Sequence, residues 1–242
     1  MSTETKHQEQ DPVLFIIAGA TATRTRRHNI IENLVMSGVV AFEELCAFAT
    51  RRFYDKLGSL AANVELIVPP HFGLWPFENS YKNLASVIGH KSEKYPDRKK
   101  VLIGHSLGGC VAVRFVHEHP EAGIDSTITI GSPFSRLGFP LLGVDKAQLG
   151  KNTDKIRELR EDLAFDAPDL VHLASVNDYV VPSDSALPDL KDTRQILFSK
   201  ERTQFDGAEI RLVPKAPSHW GLVSHPETLA ACQEVITQRL AA

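Results

Sequence analysis

One stretch constrains the chain more than any other: Val101-Leu102-Ile103-Gly104-His105-Ser106-Leu107-Gly108-Gly109. Three apolar residues run into a glycine-rich turn, and apolar positions then recur at helical spacing through Val111, Phe115 and Val116. That order predicts a buried strand, a tight turn and a helix, the setting a G-x-S-x-G nucleophile elbow requires. So abrupt a reversal pushes Ser106 toward a sparsely populated backbone conformation. Gly104 and Gly108 have no Cβ, so strand and helix can approach closely on either side. The serine hydroxyl then projects clear of the sheet. The start of the helix offers the Leu107 N–H and a positive dipole end to a developing oxyanion.

Residues 101–109, with His105 in the first variable position, closely resemble the α/β-hydrolase superfamily, especially its lipases and esterases. The resemblance implies a second oxyanion N–H from the loop after an early strand, where the family often carries an HG sequence. This chain has Ala18-Gly19-Ala20 there, so the resemblance implies Ala20 or Thr21 as the donor. It also implies a small cap over the active site from residues 134–168, although an ordinary crossover helix on the sheet fits that segment equally well.

Along the chain, apolar runs at 13–18 and 101–103 predict buried strands, and 64–68, 127–130 and 170–176 read as further strands, the last largely apolar. Residues 193–198 and 209–213 read as two more short strands, with a helix left open for the first. Helical patterns occupy 30–58, the stretch after the elbow as far as His117 to His119, residues 153–165, and the end of the chain from Pro226. Another covers 80–95, where Leu84, Val87, Ile88 and Lys91 share helical spacing. Strands alternating with helices predict an α/β fold, a mostly parallel sheet with helices on both faces. Residues 1–11 read as a mobile tail, and 12–242 as a single domain with no linker to divide it. The aromatic loop His71 to Phe77 suits either an acyl pocket wall or packing over a sheet edge. The cluster Arg24, Arg26 and Arg27 reads as a solvated loop before it reads as a site for an acidic group.

A serine hydroxyl is a weak nucleophile, so Ser106 needs a general base held in one tautomer by an acceptor. Reactive groups in open parallel sheets gather beyond the carboxyl ends of strands. The superfamily order is Ser, then an acid, then His. Asp178 follows the 170–176 strand, in an Asn-Asp-x-Val-Val-Pro pattern that resembles the acid loop of many hydrolases. Asp184, beside Ser183, suits helix capping better, and Asp166 and Asp169 precede the strand. Two histidines remain as base. His219 lies in Ser218-His219-Trp220-Gly221-Leu222, which resembles the family's histidine loop. His225 precedes Pro226 and reads as a residue at the start of the last helix, leaving it the alternative base. His172 falls inside a strand pattern and reads as a core residue.

Composition narrows the remaining classes. A net charge of -3 gives no reason to expect nucleic acid or an anionic membrane as partner. The ten histidines contain no metal-ligand spacing, and His117 and His119, two apart on a helix, do not share a face. Cys46, Cys110 and Cys232 are far apart and each lies in an apolar helical pattern, so they read as buried free thiols. No signal-peptide core or transmembrane run is present, which suggests a cytoplasmic protein without integral membrane association. The expectation is a serine hydrolase of carboxylic esters working through an acyl-enzyme on Ser106, with no cofactor or metal. Its substrate would be a small-molecule ester with an apolar acyl group. A thioesterase, an amide hydrolase and a non-catalytic binding protein on the same fold stay open, as does the oligomeric state.

Overall fold

A computed structural model describes residues 12–17, 56, 63–67, 77–135, 169–187 and 193–241. Seven strands form one sheet: β1 Val13–Ile17, β2 Asn63–Ile67, β3 Lys100–His105, β4 Ser126–Ile130, β5 Leu170–Ser175, β6 Arg194–Ser199 and β7 Ala208–Leu212. Their order is β2-β1-β3-β4-β5-β6-β7, and every neighbouring pair is parallel. Chain order reverses only between β1 and β2, so the strands from β3 onward are laid down side by side.

The continuous apolar runs are explained by burial on two faces. Successive side chains of a strand point to opposite sides. Leu14, Ile16, Val101 and Ile103 therefore join Ile128, Ile130, Leu173 and Phe198 on one face. Val13, Phe15, Ile17 and Leu102 go to the other. The first face is covered by α4 His219–Leu222 and α5 Pro226–Ala241, through Leu222, Ala231, Cys232, Val235 and Ile236. The second is covered by α1 Phe77–Ser92 and α2 Leu107–Glu118, through Tyr81, Leu84, Ile88, Val111 and Phe115. Each fully buried Leu, Ile or Phe here is worth roughly 1.5–3 kcal/mol of transfer free energy, so the sheet sandwiched between helices is the stable arrangement.

One expectation needs correction, and one that stayed open is decided. The helix before the elbow covers Phe77–Ser92 rather than 80–95, and its buried stripe is Tyr81, Leu84, Ala85 and Ile88. Val87 is 42% exposed, and Lys91 reaches sideways to pair with Glu65 on β2. Spacing of three and four from Leu84 counted both as inward, but the stripe drifts the other way, through Tyr81 and Ala85. The segment left open between strand and helix is strand β6, and it pairs with β7 in parallel. Residues 200–207 join them without a helix, a short link for parallel neighbours.

The cysteine reading holds for Cys110 and Cys232, which are buried and free; burial raises both thiols, Cys232 to about 12. Among the described residues no helix is long and apolar enough to cross a membrane. The parallel order has one consequence for function. The carboxyl ends of β3, β4, β5 and β7 all open on the same rim, and each of these strands is followed by a residue of the candidate site.

Candidate active site

Between β3 and α2 the chain turns on one residue. Ser106 has φ 53° and ψ -129°, and among the described residues no other non-glycine has a positive φ. The conformation costs on the order of 1–3 kcal/mol and persists only where its surroundings enforce it. Here the Ser106 N–H donates to the Ile130 carbonyl of β4 at 2.9 Å, and the Ser106 carbonyl accepts from the Gly109 N–H at 3.0 Å. The glycines are steric requirements. A Cβ on Gly104 would lie 2.4 Å from the Gly108 carbonyl oxygen, and one on Gly109 would lie 1.9 Å from Ser132 Oγ. Leu107 is the first residue of α2, and no side chain caps that helix, so the N–H groups of its first turn lie beside the serine.

Asp178 follows β5 in a tight turn. Its Oδ1 accepts from the Val180 and Val181 N–H groups, at 2.9 and 2.8 Å. Its Oδ2 accepts from His219 Nδ1 at 2.7 Å, and both side chains are almost wholly buried. A carboxylate can only accept, so Nδ1 is the donor of this bond, and in the neutral ring Nε2 carries the lone pair. His219 opens α4, a single turn whose preceding residue, Ser218, accepts from the Gly221 N–H at 3.4 Å. Asn177 ties the two loops together by donating from Nδ2 to the Ala216 carbonyl at 3.1 Å. Gly131, at the end of β4, has φ 53°; a Cβ there would lie 3.1 Å from Asp178 Oδ2 and 3.3 Å from His219 Nδ1.

His219 Nε2 is buried and has no hydrogen-bond partner, so the Ser106 hydroxyl and this imidazole are not bonded to each other in this conformation. Such bonds are often long in unliganded enzymes and tighten when substrate arrives. The imidazole does border the elbow. Its ring centre is 4.8 Å from that of His105, the residue before Ser106, and Trp220 stands edge-on to both rings. Burial, followed by the proximity of His219, holds His105 well below the usual histidine range, and the His219 main chain pulls weakly the other way.

The other candidates have ordinary settings. His225 Nδ1 accepts from the Glu227 N–H at 3.3 Å at the start of α5, and the ring lies against Phe198. His172 is fully buried on β5, its Nδ1 2.6 Å from Thr129 Oγ1, and burial drives its pKa down to about 3. Asp184 lies in the first turn of α3 Ser183–Ala186, but the residue at the cap position is Pro182, so no side chain caps that turn. Asp169 sits at the amino end of β5, where its carbonyl accepts from Thr127 N–H and Ser126 Oγ–H. His119 pairs with Glu121. Among the described residues no group of three His, Cys, Asp or Glu side chains is placed to hold a metal ion.

Ala20, Thr21, the arginine cluster, Cys46, Asp166, His71 to Pro76 and residues 136–168 of the expected cap lie outside the described residues. Sequence reasoning overlooked three contributors to the site. Gly131 was visible only as a glycine directly after a strand, Asn177 as half of a turn-forming Asn-Asp pair, and His105 as a variable position of the elbow motif.

No family model and no curated protein matches the sequence. Solved structures do match. Lipase B of Aspergillus fumigatus superposes with a TM-score of 0.64 at 16% identity, covering 98% of this chain and 55% of that one. The chain thus spans little more than half of that lipase. Est1E from Butyrivibrio proteoclasticus, solved with ferulic acid bound, gives 0.56 at 11% identity over 98% and 91% of the two chains. The 2-hydroxy-6-oxo-6-phenylhexa-2,4-dienoate hydrolase of Rhodococcus sp. strain RHA1 gives 0.54 at 13% over 95% and 92%. Identities this low speak to architecture alone, and together with the parallel sheet and the turn at Ser106 they give one answer: the chain has the α/β-hydrolase fold.

Proposed function

We propose that the chain is a serine hydrolase of carboxylic esters, with Ser106 as nucleophile, His219 as general base and Asp178 as the acceptor that orients it. The observation supporting this most directly is the buried Asp178–His219 hydrogen bond, on the same sheet rim as a serine held at positive φ. In the first step Ser106 Oγ bonds to the ester carbonyl carbon while His219 Nε2 takes the hydroxyl proton. The carbonyl oxygen becomes an oxyanion, received by the Leu107 N–H and by a second N–H for which Ala20 or Thr21 is our candidate. The imidazolium, neutralised by Asp178, returns its proton to the leaving alkoxide as the C–O bond breaks. Water then attacks the acyl-enzyme, giving His219 a proton that passes back to Ser106 as the acid departs. No step calls for a cofactor or a metal.

The proposed substrate is a small ester with an apolar acyl group. The same residues would serve a thioester or an amide, since nothing in the triad specifies the leaving group, and a substrate panel separates these. A binding protein without turnover is the second reading, favoured by the unbonded His219 Nε2. The test is labelling by a fluorophosphonate together with hydrolysis of short aryl esters. Both are expected in the wild type and absent in Ser106→Ala. Equal rates in the two proteins would refute the enzymatic reading.

A further inference from the structure

A general base must present its lone pair in a fixed direction, because small misplacements at a reacting centre are expensive, up to about 100-fold for roughly 1 Å. His219 is anchored by one polar contact, Nδ1 to Asp178, while its Nε2 has no partner. The covalent bond at Cγ and one hydrogen bond at Nδ1 still let the ring rock about χ1 and χ2 within the broad angular range that a hydrogen bond tolerates. Packing must therefore narrow that range. Trp220 touches the ring edge-on at 4.8 Å, but it is the next residue on the same helical turn and moves with it. The wall that comes from another element is His105, on the last position of β3, its ring tilted 38° to that of His219 at a centroid distance of 4.8 Å.

We propose that His105 is a positioning residue whose flat ring holds the plane of the His219 imidazole. This rests on the reading of His219 as general base. The site is built for rigidity. His105 is 4% exposed, its backbone belongs to a strand paired on both sides, and Trp220 closes the group with ring centres 5.8 Å apart. The residue next in sequence to His105 is the nucleophile, so strand β3 sets the serine and the wall for its base in one rigid piece. Because burial keeps His105 uncharged at neutral pH, it stands beside a ring that must accept a proton without repelling that charge.

The test uses the full chain and three variants, His105→Ala, His105→Phe and His219→Gln, each checked for folding by thermal melting. The first readout needs no turnover. The Nδ1 proton shared with Asp178 should give a far-downfield proton resonance, assigned by its loss in His219→Gln. It is expected to broaden away in His105→Ala and to persist in His105→Phe, which keeps a flat ring. The second readout is kinetic: kcat on an aryl ester should fall about 10- to 100-fold in His105→Ala with KM unchanged, and recover in His105→Phe. If His105→Ala does not fold, His105→Leu, which fills volume without a plane, replaces it. A resonance as sharp in the Ala or Leu variant as in the wild type overturns the proposal, and so does its loss in His105→Phe. Absence of any Ser106-dependent hydrolysis with the resonance behaving as expected would instead overturn the general-base reading and leave the ring contact standing.

Discussion

His219 Nδ1 lies 2.7 Å from Asp178 Oδ2, although 41 positions of sequence separate the two residues. The contact exists because β5 and β7 are parallel members of one sheet, so the loops that leave them meet on one side. Asp178 contributes both of its oxygens, one to the imidazole and the other to two backbone N–H groups of its own loop. The loop is thereby shaped around the carboxylate through contacts that do not involve the histidine.

That division of labour predicts the effect of Asp178→Asn. An amide oxygen can still accept from Val180 and Val181, so the loop should survive and thermal stability should change little. The amide NH2 then faces His219 as a donor and selects the wrong tautomer. Under the proposed mechanism kcat is expected to fall on the order of 10,000-fold. Steady-state hydrolysis of an aryl ester beside a thermal melt would check both halves.

Ser106→Gly should separate stability from activity. Relief of the backbone strain at φ 53° is worth about 1–3 kcal/mol, and the added chain freedom of glycine costs about 0.5–1 kcal/mol. The first exceeds the second, so the variant is expected to melt at a higher temperature while hydrolysing nothing. A lower melting temperature would show that the turn is not strained.

Gly104→Ala tests how closely strand and helix approach. The new methyl would meet the Gly108 carbonyl at 2.4 Å, a backbone atom that cannot swing aside. Helix α2 would have to lift from β3, at a cost of about 1–3 kcal/mol or more. Gly89→Ala is the control: a Cβ at this half-buried position of α1 meets nothing within 4 Å, and it should be neutral or mildly stabilising. Urea unfolding of the two variants gives the comparison.

His172 predicts a pH dependence of stability. The unfolded imidazole takes a proton near its ordinary value of 6.5, whereas the buried one resists until about 3. Between those values the unfolded chain holds the extra proton, so stability falls as pH drops through that window and is unaffected above it. The slope from this group is on the order of 1 kcal/mol per pH unit. His172→Leu should flatten the curve between pH 6.5 and 4, even though Thr129 loses its partner and absolute stability changes. An unchanged slope in the variant would assign the acid sensitivity to other groups, His105 first among them.

Sequence alone determined what depends on neighbours in the chain. The strand, the turn at Ser106 and helix α2 follow from a contiguous pattern, because a glycine's missing Cβ and an apolar period act over a few residues. The strand positions were legible for the same reason: burial on both faces leaves an unbroken apolar run in Val13–Ile17, and a mostly apolar one in Leu170–Ser175, interrupted by His172. The inward face of α1 was harder, since Val87 fits the period yet is exposed and Lys91 turns sideways to Glu65 on β2, and only packing against β2 and α2 selects the true stripe. The meeting of Asp178 with His219, the close passage of Gly131 beside them and the ring contact of His105 with His219 were settled only in three dimensions. Strand order and register decide which carboxyl ends share a rim, and no local signal carries that information. Contacts between distant segments depend on how a whole sheet is laid down, and a chain read residue by residue contains only the pieces from which that sheet is made.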